Sequence, residues 1–159
     1  MKHFAPLEDI SAVEEMLSGI SFLGGLTESQ FQKVAENLET ASFEKGQYIA
    51  RRGDEPAYIF IIRSGSVNLI IEDDDSTVIK RTFQRADCFG EAALLSLINN
   101  SASFIAAEDS ELIAFSRKSL NRLHREDPDT FCRLILNLAR DLARKLQYTD
   151  EFLLRIDKR

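Results

Sequence analysis

A mainly β fold is predicted for this chain: an antiparallel β roll of jelly-roll type, with helices before it and one long helix after it. Three observations predict it. Between Thr40 and Phe115, apolar segments of about four to seven residues alternate with turn residues at Gly46, Gly53-Asp54, Ser64-Gly65 and 72–76. That spacing suits antiparallel strands rather than βα units. Upstream of Thr40 the apolar residues instead recur at helical steps, and from Pro128 a helical pattern runs without a break to about Ile156.

The elements follow in order. Phe4, Leu7, Ile10, Val13 and Leu17 step by three and four, predicting an amphipathic helix over 7–18 that ends at Gly19. Thr27 and Gln30 have the spacing of a capping box for a second helix, with Phe31, Val34 and Leu38 on its inner face. Segments 57–63 and 66–72 are nearly continuous apolar runs and are predicted to be central strands. The acidic run Glu72-Asp73-Asp74-Asp75 falls where a hairpin tip is expected. It lacks the glycine and the distal glutamate of a calcium loop, so it reads as a solvated tip that discourages edge pairing. Strands at 102–107 and 111–115 and a short helix at 119–125 complete the roll. Pro128 then opens the long helix from its first turn, where a missing N–H costs nothing. The expected units are a helical extension over 1–20, the roll over 21–127 and the long helix over 128–159.

Composition narrows the function. At 159 residues, with 44% hydrophobic and 29% charged residues, the chain has the make-up of a soluble globular domain. It holds no apolar run of the ~20 residues a membrane helix needs, and its start carries no secretory pattern. The net charge of −6 is uneven: residues 1–116 hold 9 Lys/Arg against 19 Asp/Glu, and residues 117–159 hold 11 against 7. The basic tail lacks interleaved aromatics and a recognition helix, so direct DNA binding is not expected. Cys88 and Cys132 read as reduced thiols of a cytoplasmic protein, with a bridge between them as the alternative. His3 and His124 have no ligand-spaced neighbours, and no metal site is expected. No P-loop, dinucleotide fingerprint or nucleophile elbow occurs, and Glu91 has no identifiable partner acid or nucleophile. The chain is therefore read as non-enzymatic.

Its most informative stretch is Cys88-Phe89-Gly90-Glu91-Ala92-Ala93-Leu94, followed by Asn100-Ser101-Ala102-Ser103. A glycine opens a short helix whose first-turn N–H groups are unpaired, an arrangement suited to an anion. The pattern resembles the phosphate-binding cassette of cyclic nucleotide-binding domains, which runs Phe-Gly-Glu-x-Ala-Leu and then Arg-(Ser/Ala)-Ala-(Thr/Ser). Arg52-Gly53-Asp54, Tyr58-Ile59-Phe60-Ile61-Ile62 and Ser64-Gly65-Ser66-Val67 resemble the family's preceding signature. Residues 22–27 are similar to its leading helices, and 138–146 to the long helix of its bacterial activators. The resemblance spans roughly residues 20–155.

The resemblance implies roles for particular residues. Phe89 and Gly90 frame the cassette, and Glu91 would hold a ribose 2′-hydroxyl. Ala92 and Ala93 would offer N–H groups to phosphate oxygens, while Ser101 with its hydroxyl and Ala102 with its amide would close the other side. Asn100 stands where the family carries the arginine that grips the cyclic phosphate. A neutral amide cannot supply that charged fork, so binding is expected to be weak or altered unless Arg81 or Arg85 substitutes. Ala86 replaces the glycine usual before Asp87. Thr149 would face adenine across a dimer, or act as an interface spacer. The sequence demands no cofactor; the ligand implied is cAMP or cGMP.

The long helix bears an apolar stripe of Ile135, Leu138, Leu142, Leu146, Thr149, Leu153 and Ile156. One small roll cannot cover a stripe some ~42 Å long, so a homodimer through this helix is expected, with an unidentified protein as the downstream partner. Two other readings remain open: a ligand-independent dimeric interaction module, and the sensor fragment of a Crp/Fnr-like transcription regulator.

Overall fold

The computed structural model describes residues 3–73 and 75–156. Nine strands form two antiparallel sheets among these residues. In chain order they are β1 (Ala5–Pro6), β2 (Leu38–Phe43), β3 (Tyr48–Ala50), β4 (Tyr58–Ser64), β5 (Val67–Asp73), β6 (Ser76–Phe83), β7 (Cys88–Phe89), β8 (Ser103–Ala106) and β9 (Ser110–Ser116). One sheet has the order β1-β2-β9-β4-β7 and the other β3-β8-β5-β6. The helices are α1 (Ile10–Ser18), α2 (Glu28–Ala35), α3 (Glu91–Ser96), α4 (Arg117–Glu126) and α5 (Pro128–Ile156), with a 3₁₀ turn over Ser21–Leu23.

The unbroken apolar run of β4 follows from its place between two cores. Alternate side chains of a strand point to opposite faces. Ile59 and Ile61 enter a helical core with Leu17, Phe22, Leu134 and Leu138, whereas Phe60 and Ile62 enter the roll interior with Phe43, Val67, Phe83 and Phe89. β9 divides in the same way, Ile113 and Phe115 towards the helices and Leu112 and Ala114 into the roll. β4 and β5 are both interior strands, as their apolar runs predict.

Two sequence expectations are corrected near the start of the chain. The first helix begins at Ile10, capped by the Asp9 side chain, and not at residue 7. Ala5 and Pro6 instead pair with Thr40 and Glu39 of β2, and the Leu7 N–H donates to the Leu38 carbonyl at 3.0 Å. Leu38 is buried as predicted, but it opens β2 and is not on the inner face of α2. The Thr27–Gln30 capping box is present with both of its hydrogen bonds.

Gly65 and Gly90 are needed for close approach as well as for conformation. Gly65 has φ +84°, and a Cβ there would lie 2.6 Å from the Asp109 carbonyl oxygen. Gly90 has φ +89°, and its Cβ would lie 2.7 Å from the Tyr58 oxygen. Only glycine meets both demands without strain.

The acidic hairpin tip is only partly a solvated cap, and Asp74 lies outside the described residues. Glu72 accepts a hydrogen bond from the Tyr48 hydroxyl and one of 2.9 Å from Ser103 Oγ. The Tyr48 and Ser103 bonds hold its carboxyl below the usual range. Glu72 thus ties the β5–β6 hairpin to β3 and β8. Cys88 and Cys132 are both free thiols.

Candidate functional site

The cassette is built where the five-stranded sheet ends at the two-residue strand β7. β7 pairs with β4, Phe60 opposite Phe89 and Ile61 opposite Cys88. Gly90, in the left-handed conformation, turns the chain into α3. Glu91 is the first helical residue and is 6% exposed. A buried carboxylate needs a partner, and Lys145 Nζ of α5 provides it by donating to Glu91 Oε1. The cassette glutamate is therefore tethered to the long helix, 54 residues further along the chain.

The thiol beside this pair is shifted mainly by its own burial. Burial, reinforced by the Glu91 charge, pushes Cys88 up to about 12. It remains protonated across the physiological range and is a poor nucleophile.

Asn100 is 8% exposed, and its backbone closes the far side of the cassette. The Asn100 carbonyl accepts from the Gly53 N–H at 2.8 Å, and its N–H donates to the Asp54 carbonyl at 3.0 Å. Next to it, Asn99 Nδ2 donates to the Gly53 carbonyl at 2.9 Å. The Gly53-Asp54 turn, read in the sequence as a chain reversal and as part of the family's signature, thus clamps the segment that leads into β8. Ala102 is buried, whereas Ser101 and Ala92 are exposed and Ala93 is intermediate. Ser103 is buried and accepts from the Arg52 N–H at 3.0 Å.

Of the predicted site residues, Phe89, Gly90 and Asn100 line one cavity, with Glu91, Ala92 and Ala93 following Gly90 in α3 and Ser101 and Ala102 following Asn100 along the chain. Thr149 is not part of this group. It is exposed, and its Oγ1 donates to the Lys145 carbonyl of its own helix at 2.9 Å. Neither arginine considered as a substitute for the missing charge lines the cavity that Asn100 lines. Arg81 lies over the Phe83 ring at 4.5 Å, on the side of the roll that faces Arg144 and Lys145, and Arg85 is exposed.

Sequence reasoning missed Lys145 as the partner of Glu91. It also missed a cavity of about 110 Å³ beside the cassette, lined by Phe4, Tyr58, Phe60, Phe89 and Phe104 together with Gly90 and Asn100. The richness in phenylalanine, 11 residues in all, was the available signal. Among the described residues no group of three or more His, Cys, Asp or Glu could hold a metal ion, and no helix is long and apolar enough to cross a membrane.

A helix-flanked antiparallel roll carrying a Gly-Glu helix start is the architecture of a regulatory domain. The profile of the cyclic nucleotide-binding domain matches residues 40–127. Human cGMP-dependent protein kinase 2 is 34% identical over 109 residues, 67% of this chain and 14% of the kinase. This chain belongs to the cyclic nucleotide-binding domain family, and it spans only a small part of the curated relatives it matches. Among solved structures, the Thermus thermophilus catabolite activator protein superposes with a TM-score of 0.73 at 27% identity, covering 86% of this chain and 63% of that one. A regulatory subunit of a cAMP-independent protein kinase A from Trypanosoma brucei, as a triple mutant bound to cAMP, superposes with a TM-score of 0.68 at 25% identity. That match covers 90% of this chain and 51% of the other.

Proposed function

We propose that this chain is a non-enzymatic signalling module that receives cAMP or cGMP weakly, at a cassette altered by Asn100, and relays occupancy to α5. The observation that carries this reading is the Glu91–Lys145 pair. The residue to which the family resemblance gives a ribose hydroxyl is also an ion-pair partner of the long helix. A sugar hydroxyl donating to Glu91 competes with Lys145, so binding and helix position are linked.

In this reading Phe89 and Gly90 set the cassette, while Ala92 and Ala93 present N–H groups to the phosphate. Ser101 and Ala102 close over it. Asn100 lacks the fixed charge and the paired donors of arginine. Charge-assisted hydrogen bonds contribute about 1.5–3 kcal/mol each, so losing one or two weakens binding by roughly ten- to several-hundredfold. The Trypanosoma brucei protein supports this argument: it is described as cAMP-independent, and the mutant bound to cAMP carries an introduced arginine.

The working units are residues 1–20, 21–127 and 128–159, in a cytoplasmic protein whose output passes to a protein partner rather than to DNA. A homodimer forms through the exposed outer part of α5, where Thr149 serves as a spacer or reaches the partner's ligand. A second reading, a dimeric module that works without ligand, is favoured by Glu91 being already satisfied by Lys145. The sensor part of a Crp/Fnr-like regulator is a third, supported by the match to the catabolite activator protein.

Isothermal titration calorimetry on three proteins tests the proposal. Wild type should bind cAMP and cGMP with Kd in the high micromolar range or weaker, roughly, given the missing charged fork. Asn100→Arg should tighten binding by roughly tenfold or more, and adding Glu91→Ala should remove that gain. No gain from Asn100→Arg would favour the ligand-independent module.

A further inference from the structure

The cavity beside the cassette has a chemistry of its own. Phe4 stacks on Tyr58 with ring centroids 4.4 Å apart and planes 5° from parallel. Behind them a ladder of rings continues through Phe60, Phe89 and Phe104, with successive centroid distances of 5.1 and 4.8 Å. Phe4 is only half-buried, and the two-residue strand β1 holds its backbone to the sheet. It covers the cavity as the outermost ring of this ladder.

The polar groups are few and specific. The backbone N–H and carbonyl of Asn100 are engaged by Asp54 and Gly53, which leaves its side-chain amide to the cavity it lines. The charged lining residues are Asp54 and Glu55. Glu55 is paired with Arg117 at 2.8 Å, and Asp54 accepts the Arg51 N–H at 2.8 Å. Among the described residues no cation lines the cavity, so on their account an anionic ligand would enter without a counter-charge and past a carboxylate. Aromatic walls with a single amide suit a flat, uncharged ring bearing its own donor and acceptor.

We propose that this cavity is a second binding site, for an uncharged planar aromatic molecule with an amide-like group, and that Phe4 is its intramolecular lid. The ligand ring takes the place of Phe4 on Tyr58, and its polar group pairs with the Asn100 amide. The site shares Phe89, Gly90 and Asn100 with the cassette but uses neither Glu91 nor the α3 amides, so the response of Glu91→Ala tells it apart from cyclic nucleotide binding.

The chain contains no tryptophan, so Phe4→Trp places a single fluorescent reporter in the lid. Benzamide and benzoate serve as probes, having the same ring with and without an anionic charge. Benzamide should shift the Trp emission to the red as the lid leaves its apolar seat, and benzoate at the same concentration should not. In calorimetry, Phe4→Ala should bind benzamide roughly three- to tenfold more tightly than wild type, the range expected when one stacked aromatic pair no longer competes. Asn100→Leu should weaken benzamide binding, and Glu91→Ala should leave it unchanged. The proposal is overturned by equal responses to the two probes, by no response to benzamide, or by loss of benzamide binding in Glu91→Ala. Should Phe4→Ala fail to fold, the emission titration decides alone.

Discussion

Ala86 stands at φ +70°, in the left-handed region where a side chain is strained. The resemblance to the family placed a glycine at this position, and the backbone retains the conformation that glycine serves. The turn is held by the Ala86 N–H donating to the Ile62 carbonyl at 2.8 Å and by Asp87 accepting the Gln84 N–H at 2.9 Å. Ala86→Gly should therefore stabilise the fold by about 1 kcal/mol, measured as a raised urea midpoint with an unchanged slope. A lowered midpoint would mean that packing of the Ala86 methyl outweighs the strain. At this scale the sequence was legible where chemistry is local. The Thr27–Gln30 capping box and the Gly90 turn are complete within a few residues. Lys145 was not legible, because nothing in its own neighbourhood announces a carboxylate 54 positions away.

Helix α5 takes its start from Asp127, whose carboxylate accepts the Thr130 N–H at 3.1 Å, the Thr130 hydroxyl at 2.8 Å and Lys33 Nζ at 2.7 Å. Lys33 first, and then Thr130, hold the Asp127 carboxyl at about 2, below its ordinary 3.8. A depressed folded-state value means that the stabilisation is present in full above about pH 4 and is lost as the pH falls towards 2. Asp127→Asn should remove that part of the acid sensitivity, flattening the decline of the thermal midpoint between pH 4 and 2. A decline as steep as in wild type would assign the acid sensitivity to other carboxylates. The strands were legible because two-sided burial writes an unbroken apolar run, as in β4. The first helix was misread because Phe4 and Leu7 continue its spacing by coincidence, while their backbone belongs to an extended segment beside β2. The stripe of α5 was read as one surface, yet its Leu138 is buried in the helical core and its Ile135 packs against that core.

For the molecule as a whole, the outer part of α5 presents the longest run of exposed apolar side chains among the described residues. Leu146 is 62% exposed and Leu153 54%, and Tyr148, Phe152, Leu154 and Ile156 are exposed beside them. Leu146→Glu with Leu153→Glu should convert the proposed dimer to a monomer in light scattering at micromolar concentration without lowering the thermal stability of the roll. A wild type already monomeric under these conditions would remove the dimer from the account.

The central claim is that ligand at the cassette moves α5 through Glu91 and Lys145. Amide hydrogen exchange on Asn100→Arg, with and without saturating cAMP, tests it most directly. The account predicts that cAMP protects residues 90–103 and also changes exchange along 138–156, and that adding Lys145→Ala abolishes the second change but not the first. Protection confined to the cassette, with α5 exchanging identically in both states, would contradict it.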